Sequence, residues 1–262
     1  MNVPPVVVKF GGELVETPER LHEIGHALAQ LAAAGPLVVV HGGGREIDAE
    51  LARRGLAKLA IDGLRITDPP TLEAVVAVLA GTINTRLVAH LVGLGIGAVG
   101  LTGVDAALAR SGRAAAHLTA AGALVDLGLV GEPEPDADLG VVAHLLAGGY
   151  VPVIASLGLD ASAAVLNVNA DTLAAHVAAG VGAGELLLVG GTAGVLDGNG
   201  RTLPTLGPTD AEALMQDGTA SAGMVAKLRA ATSARARGVA VVSIVDGRSA
   251  GSILGRHGTS LA

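Results

Sequence analysis

Two lysines, one aspartate and two glycine turns are the residues of this chain whose types and spacing could do chemistry. Lys9 closes the apolar run Val6-Val7-Val8 and is followed by Phe10-Gly11-Gly12. A second run, Leu37-Val38-Val39-Val40, ends in His41-Gly42-Gly43-Gly44-Arg45. Each run reads as a buried parallel strand, and each glycine cluster sits where a strand gives way to a helix. Backbone without Cβ atoms lets amide N–H groups approach an anion closely, and the positive end of the following helix adds to the attraction. Two such turns on neighbouring strands would make a phosphate-binding floor. Farther along, Asn167-Val168-Asn169-Ala170-Asp171-Thr172 and Gly223-Met224-Val225-Ala226-Lys227 each open a helical pattern. Taken alone, Asp171 reads as a helix N-cap, Lys227 as a lysine on a solvated face and His41 as a satisfied strand-end residue. Lys9 is more demanding. An ammonium group ending a buried strand calls for an anion unless its head escapes at the sheet edge.

The elements that would position these groups alternate along the chain. Thr17-Pro18-Glu19 supplies an N-cap, an N1 proline and a first-turn acid for a helix to about Ala33, stopped by Gly35-Pro36. A helix follows from Arg45 to Arg54, then a polar strand-like stretch from Lys58 to Thr67. Asp68-Pro69-Pro70 starts the longest helical pattern, from about Thr71 to Gly93. Ala98 to Leu101 reads as a buried strand, residues 113 to 130 as a hairpin, Asp136 to Ala147 as a helix and Val151 to Ile154 as a parallel strand. The helix opened by Asn167 to Thr172 runs to about Ala179, and Glu185 to Val189 is a strand ending in Gly190-Gly191. Helices over Thr209–Gln216 and Gly223–Arg237, a strand over Val239–Val245, a last helix and a short strand complete the pattern. Strands alternating with helices predict an α/β layered sheet. A boundary between two lobes falls near residue 170, dividing 1–170 from 171–262.

Composition narrows the choice. Half of the 262 residues are hydrophobic, yet Phe10 and Tyr150 are the only aromatics, so the core must be aliphatic. Acids exceed Lys and Arg by 24 to 17, for a net charge of −7. No basic stripe stands out, which argues against a nucleic-acid partner. Without cysteine there is neither a disulfide nor a thiolate metal site. The N-terminus lacks a signal-peptide pattern and no long apolar run is free of polar interruption, so no membrane partner and a cytoplasmic location are expected. Two motifs fail on context. Gly93-Leu94-Gly95-Ile96-Gly97-Ala98 precedes a strand and reads as a helix stop, not a dinucleotide fingerprint. Gly247-Arg248-Ser249-Ala250-Gly251 fits a nucleophile elbow, but no acid follows Ser249 and only His257 remains.

In order and spacing, several segments together resemble the amino acid kinase family. They are Val6 to Glu13, His41 to Gly44, Gly63-Leu64-Arg65-Ile66-Thr67, Leu79 to Asn84, Asn167 to Thr172 and Gly223 to Lys227. The resemblance is collinear and spans nearly the whole chain. Its most discriminating element, Gly-Leu-Arg-x-Thr, marks members acting on N-acetyl-L-glutamate. The resemblance implies a three-layer αβα sandwich around a mainly parallel sheet, with the acceptor on the N-terminal lobe and ATP on the C-terminal lobe. It implies transfer of the γ-phosphoryl group of MgATP to the side-chain carboxylate of N-acetyl-L-glutamate, the second step of arginine biosynthesis. Lys9 and Lys227 would flank the migrating group, with Asp171 holding both. Backbone amides of Gly11, Gly12, Gly43 and Gly44 would bind the phosphates and the acceptor carboxylate. Arg65 would grip the α-carboxylate and Asn167 would add a hydrogen bond. Mg²⁺ would be held mainly by phosphates and water.

The chain departs from the family pattern after Val189. Gly190-Gly191-Thr192 replaces a Ser/Thr-Asp-Val segment, so Gly191 and Thr192 are expected at the nucleotide with weaker ATP affinity. The first strand starts about five residues from Met1, leaving no room for the N-terminal helix of arginine-inhibited members. A homodimer with little arginine inhibition is therefore expected, using the long helix after Pro70. The rival readings are a sister kinase for carrier-linked aminoadipate and a member that binds acetylglutamate without catalysis.

Overall fold

The computed structural model describes residues 3–14, 17–119, 122–216, 218 and 220–262. Eight strands form the central sheet: β1 (Val6–Phe10), β2 (Leu37–His41), β3 (Ala98–Thr102), β4 (Val151–Ala155), β5 (Glu185–Gly190), β6 (Thr205–Leu206), β7 (Val241–Asp246) and β8 (Gly258–Leu261). Their spatial order is β6-β8-β7-β5-β1-β2-β4-β3. Neighbours run parallel except β7 and β8, which pair antiparallel. The strands preceding residue 170 form one half of the sheet and those following it the other, and the halves meet where β1 pairs with β5.

Helices cover both faces: α1 (Pro18–Ala34), α2 (Gly44–Arg53), α3 (Pro69–Gly93), α4 (Gly140–Ala147), α5 (Ala170–Gly180), α6 (Pro208–Gln216), α7 (Ala222–Ala236) and α8 (Ala250–Leu254). The strand period of two divides the core. Val8 and Phe10 of β1 pack with α1 and α3 on one face, while Val7 packs with α5 and α7 on the other. Lys9, two residues beyond Val7, therefore faces α5 and α7. This alternation aims the lysine at the start of α5, where Asp171 lies.

Helix α3, with 25 residues, is long and apolar enough to cross a membrane, its most apolar 18-residue stretch having a mean hydropathy of 1.6. Its apolar side chains are used by the core instead: Val75, Leu79, Ile83, Leu87 and Leu91 are all buried there. Its middle seven residues, Ala77–Ile83, wind as a π-helix. Just beyond, the Asn84 amide donates to the Val153 carbonyl at 2.9 Å, lies 3.2 Å from that of Leu101 and reaches His41 Nε2 at 3.1 Å. One buried amide thus ties α3 to β2, β3 and β4.

A second sheet, in the order Leu157–Leu159, Val165–Val168, Val130–Pro133 and Ser111–Arg113, leads into α5. Two hairpins accompany it, Ala60–Ile61 with Leu64–Arg65 and His117–Leu118 with Leu124–Val125. The strands at 157–168 are absent from the sequence pattern because each is too short to show alternation. The helix expected from Asp136 begins only at Gly140, since the Asp138 carboxylate accepts from the Gly140 N–H and holds the chain in a turn. The strand expected to be buried at Ala98 is half-buried, because β3 is the sheet edge. Gly93 does end a helix, with Gly95 left-handed at φ 83°.

Candidate active site

Lys9, Asp171 and Lys227 come together from three elements. Lys9 Nζ lies 3.0 Å from Asp171 Oδ1, and Lys227 Nζ lies 3.1 and 3.2 Å from Oδ1 and Oδ2. Asp171 can do this because it does not cap its own helix. Asn169 does, its Oδ1 accepting from the N–H groups of Asp171 and Thr172 at 2.9 and 3.1 Å. The N-cap reading of Asp171 is thereby corrected: Asp171 is the second residue of α5, and its carboxylate is available to the lysines. Lys227 likewise departs from the solvated-face reading, its side chain only 13% exposed.

The electrostatics follow from burial. Burial opposes ionisation of Asp171, but the ammonium groups of Lys9 and Lys227 outweigh it and hold its carboxyl below the usual range. Burial and the neighbouring Lys9 charge push Lys227 down to about 8, against the pull of Asp171. Two cations share one anion, so the cluster carries a net positive charge suited to a further anion.

A cleft of about 280 Å³ opens in front of Lys9 and Asp171. Gly11, Gly12, Gly42, Gly43 and Gly44 form its floor. The two glycine turns touch through their backbones, so that a Cβ on Gly12 would stand 2.6 Å from the Gly43 Cα and 2.5 Å from Glu46 Oε2. A Cβ on Gly43 would strike Ile83 and Leu79 of the π-helical stretch. Gly43 precedes α2 without a side-chain cap, leaving the N-terminal end of that helix to the cleft.

Arg65 and Asn167 line the same cleft. Arg65 Nη2 donates to Asp48 Oδ1 at 2.5 Å and to the Gly44 carbonyl at 3.3 Å. Its Nη1 is buried with no hydrogen-bond partner, a donor suited to a ligand carboxylate. Asp48 also meets Lys58 at 2.7 Å. Burial opposes its ionisation, yet hydrogen bonds from Lys58 and Arg65 hold its carboxyl below the usual range. Asn167 Nδ2 donates to Thr67 Oγ1 at 3.1 Å. Sequence reasoning missed Asp48, Ser156 and the Arg86–Glu46 pair at 3.3 Å, whereas Leu79 stands within the Leu79–Asn84 segment of the resemblance. Only Asp48 carried a signal, one helical turn after Gly44 on α2.

Gly191 and Thr192 do not line the cleft. They follow Gly190, where a Cβ would stand 3.1 Å from Lys227 Cε, which places the segment beside that lysine. Thr192 Oγ1 donates to the Gly194 carbonyl at 3.3 Å. His41 is structural: burial lowers its pKa to about 4, so the ring is neutral and Nε2 accepts from Asn84. Ser249 caps α8, its Oγ accepting from the Ser252 N–H at 3.1 Å, and is no nucleophile poised over a cleft. Among the described residues no three His, Asp or Glu side chains are grouped to hold a metal ion.

A family model described as the amino acid kinase family matches residues 4–246. An acetylglutamate kinase of Acidiphilium cryptum (strain JF-5) is 42% identical over 93% of this chain and 83% of that protein. An acetylglutamate kinase of Chloroflexus aurantiacus is 40% identical over 92% of this chain and 91% of its own. A solved structure from Streptococcus mutans UA159 overlays with a TM-score of 0.82 at 26% identity, covering 98% of both chains. The N-acetylglutamate synthase of Neisseria gonorrhoeae shares the fold, with a TM-score of 0.83 at 24% identity over 100% of this chain and 60% of that one.

The contact between the glycine turns sets a contrast that urea unfolding can measure. Gly12→Ala must push the two backbone turns apart and should cost about 1–3 kcal/mol. Gly44→Ala, whose Cβ meets nothing within 4 Å, should change stability by less than about 0.5 kcal/mol.

Proposed function

The chain belongs to the amino acid kinase family, and from that premise we propose that it transfers the γ-phosphoryl group of ATP to the side-chain carboxylate of N-acetyl-L-glutamate, giving N-acetyl-L-glutamyl 5-phosphate, a step of arginine biosynthesis. The observation that carries this reading is the pair of lysines held on Asp171 at one end of a glycine-floored cleft with Arg65 in its wall. The N-terminal lobe, residues 1–170, would hold the acceptor and residues 171–262 the nucleotide.

An ionised carboxylate needs no general base. Its difficulty is repulsion from an anionic phosphoryl group, so catalysis rests on alignment and charge neutralisation. Lys9 and Lys227 would stabilise the equatorial oxygens as an acceptor oxygen forms the new P–O bond and the β–γ bridging oxygen leaves with ADP. Asp171 keeps both ammonium groups aimed at the cleft. The amides of Gly11, Gly12, Gly43 and Gly44 would cradle phosphate and acceptor oxygens. Arg65 Nη1 would take the α-carboxylate, with Asn167 beside it. Gly191 and Thr192 would border the nucleotide next to Lys227.

Asp171 is engaged by two lysines and among the described residues the cleft offers no carboxylate cage, so Mg²⁺ would arrive on the ATP phosphates with water as its other ligands. The reaction belongs in the cytoplasm, where ATP is available, and the working form would be a homodimer.

Trapping of the acyl phosphate with hydroxylamine tests the reaction directly. N-acetylglutamate should give ATP-dependent hydroxamate, with glutamate and aminoadipate far behind. Lys9→Ala and Lys227→Ala should each lower turnover by about a hundredfold or more with unchanged circular dichroism. Equal use of all three acceptors, or normal turnover in both variants, would refute the assignment.

The pH profile tests the role of Lys227. Its ammonium form is complete well below pH 8 and is lost above it. The kcat/KM for ATP should therefore be flat at neutral pH and fall about tenfold per unit above about 8. Lys227→Arg, whose guanidinium keeps its proton, should lose that alkaline limb even if slower overall.

Arg65→Ala should raise the acceptor KM about tenfold or more, with the ATP KM unchanged. An unaltered acceptor KM would remove Arg65 from the substrate site.

A further inference from the structure

Arg65 is carried on a hairpin whose support has a second component outside the cleft. The hairpin pairs Ala60 with Arg65 and Ile61 with Leu64, and its turn is Asp62-Gly63. Both turn residues are left-handed, at φ 46° and 78°, as a tight two-residue turn requires. Gly63, Leu64 and Arg65 line the cleft. At the base, the Thr67 N–H donates to the Leu127 carbonyl at 2.9 Å, and the Leu129 N–H donates to the Thr67 carbonyl at 2.7 Å. At the tip, His117 Nε2 lies 2.9 Å from Asp62 Oδ2. A carboxylate only accepts, so Nε2 carries the donated proton. His117 belongs to the other hairpin, where it pairs with Val125, two residues before Leu127 of the cleft wall. The two hairpins are thus joined at base and tip.

We infer that His117 and Asp62 form a clasp that positions the Arg65 hairpin over the acceptor end of the cleft, making both of them positioning residues for acceptor binding. The inference rests on the acceptor reading given above. Four observations support it. The donor is distant in sequence, so the contact is no accident of local chain geometry. The His117 side chain is 18% exposed and that of Asp62 37%, so the bond lies at the surface with its histidine end partly covered. The bond is made by the turn residue adjoining the cleft-lining Gly63-Leu64-Arg65 segment. Neither member reaches the cleft, so loss of the clasp would act through Arg65 and leave the Lys9–Asp171–Lys227 cluster untouched. Released at its tip, the hairpin would hold Arg65 correctly for a smaller fraction of the time, and the apparent acceptor affinity would fall by that fraction.

The test combines steady-state kinetics with hydrogen exchange on the whole chain. His117→Ala removes the donor, and Asp62→Gly removes the carboxylate while keeping a residue at ease in the left-handed turn. Each should raise the N-acetylglutamate KM about two- to fivefold, the worth of one partly shielded pair, with kcat and the ATP KM unchanged. In the double variant the two increases should be less than additive, because both changes break the same contact. His117→Gln, whose amide still donates, should stay near the parent. Amides of residues 60–65 should exchange faster in both single variants without ligand. An unmoved acceptor KM, additive increases, or an equal rise in the ATP KM would overturn the clasp. If the parent makes no hydroxamate from N-acetylglutamate, the function reading fails separately. The clasp then stands on exchange at 60–65, and unchanged exchange there would overturn it.

Discussion

The carboxylate of Asp171 is the constraint on which the site depends. Two ammonium groups in the interior repel each other and are poorly hydrated, and Lys227 is drawn down to about 8 even with Asp171 beside it. The carboxylate is itself buried, and the charges and hydrogen bonds of the two lysines outweigh the cost of that burial. Each charge is tolerated because of the other two. The residual positive charge leaves the cluster prepared to receive an anion, and the low surrounding polarity makes that preparation effective.

The fold makes this triangle from segments far apart in the chain. β1 lies at the centre of the sheet, between β2 with its glycine turn and β5 with Gly190. The period of two sends Lys9 to the face covered by α5 and α7, where the first turn of α5 brings Asp171 and the second turn of α7 brings Lys227. The opposite face carries α3, and its π-helical stretch presses Leu79 and Ile83 against Gly43. The floor of the cleft is thus set by packing from below, and the charges above it are set by the helices of the other layer.

Much of this was legible in the residues. Lys9 and the two glycine turns declared themselves because an ammonium group at a strand end and repeated glycines at strand–helix junctions both have few bland explanations. The α/β layered sheet followed from the alternation of strands and helices, and the three-layer αβα arrangement and membership of the amino acid kinase family from the order of the motifs. His41 was correctly read as a satisfied residue. Asp171 was not legible alone, since Asp at a helix start is a good N-cap; only Asn169, taking that role two residues earlier, frees it. Asp48 was missed because its partners, Arg65 in a hairpin and Lys58 just before it, are linked to α2 by no local pattern. The strands of the second sheet at 157–168 were missed because, at three and four residues, they are too short to show alternation.

The departure at Gly190-Gly191-Thr192 is coupled to the same triangle. The Gly190 carbonyl accepts from the Gly247 N–H at 2.8 Å, which fixes the end of β5 to the start of the loop after β7. With the strand end fixed, a side chain at 190 would have to find room against the Lys227 stem, only 3.1 Å from its Cβ. Position 191 is different, because a Cβ there meets nothing within 4 Å. Glycine at 190 therefore preserves the reach of Lys227 to Asp171, whereas glycine at 191 forgoes a side chain that the geometry would have allowed. The steric constraint at this strand end therefore falls on position 190, beside the lysine stem, and not on position 191.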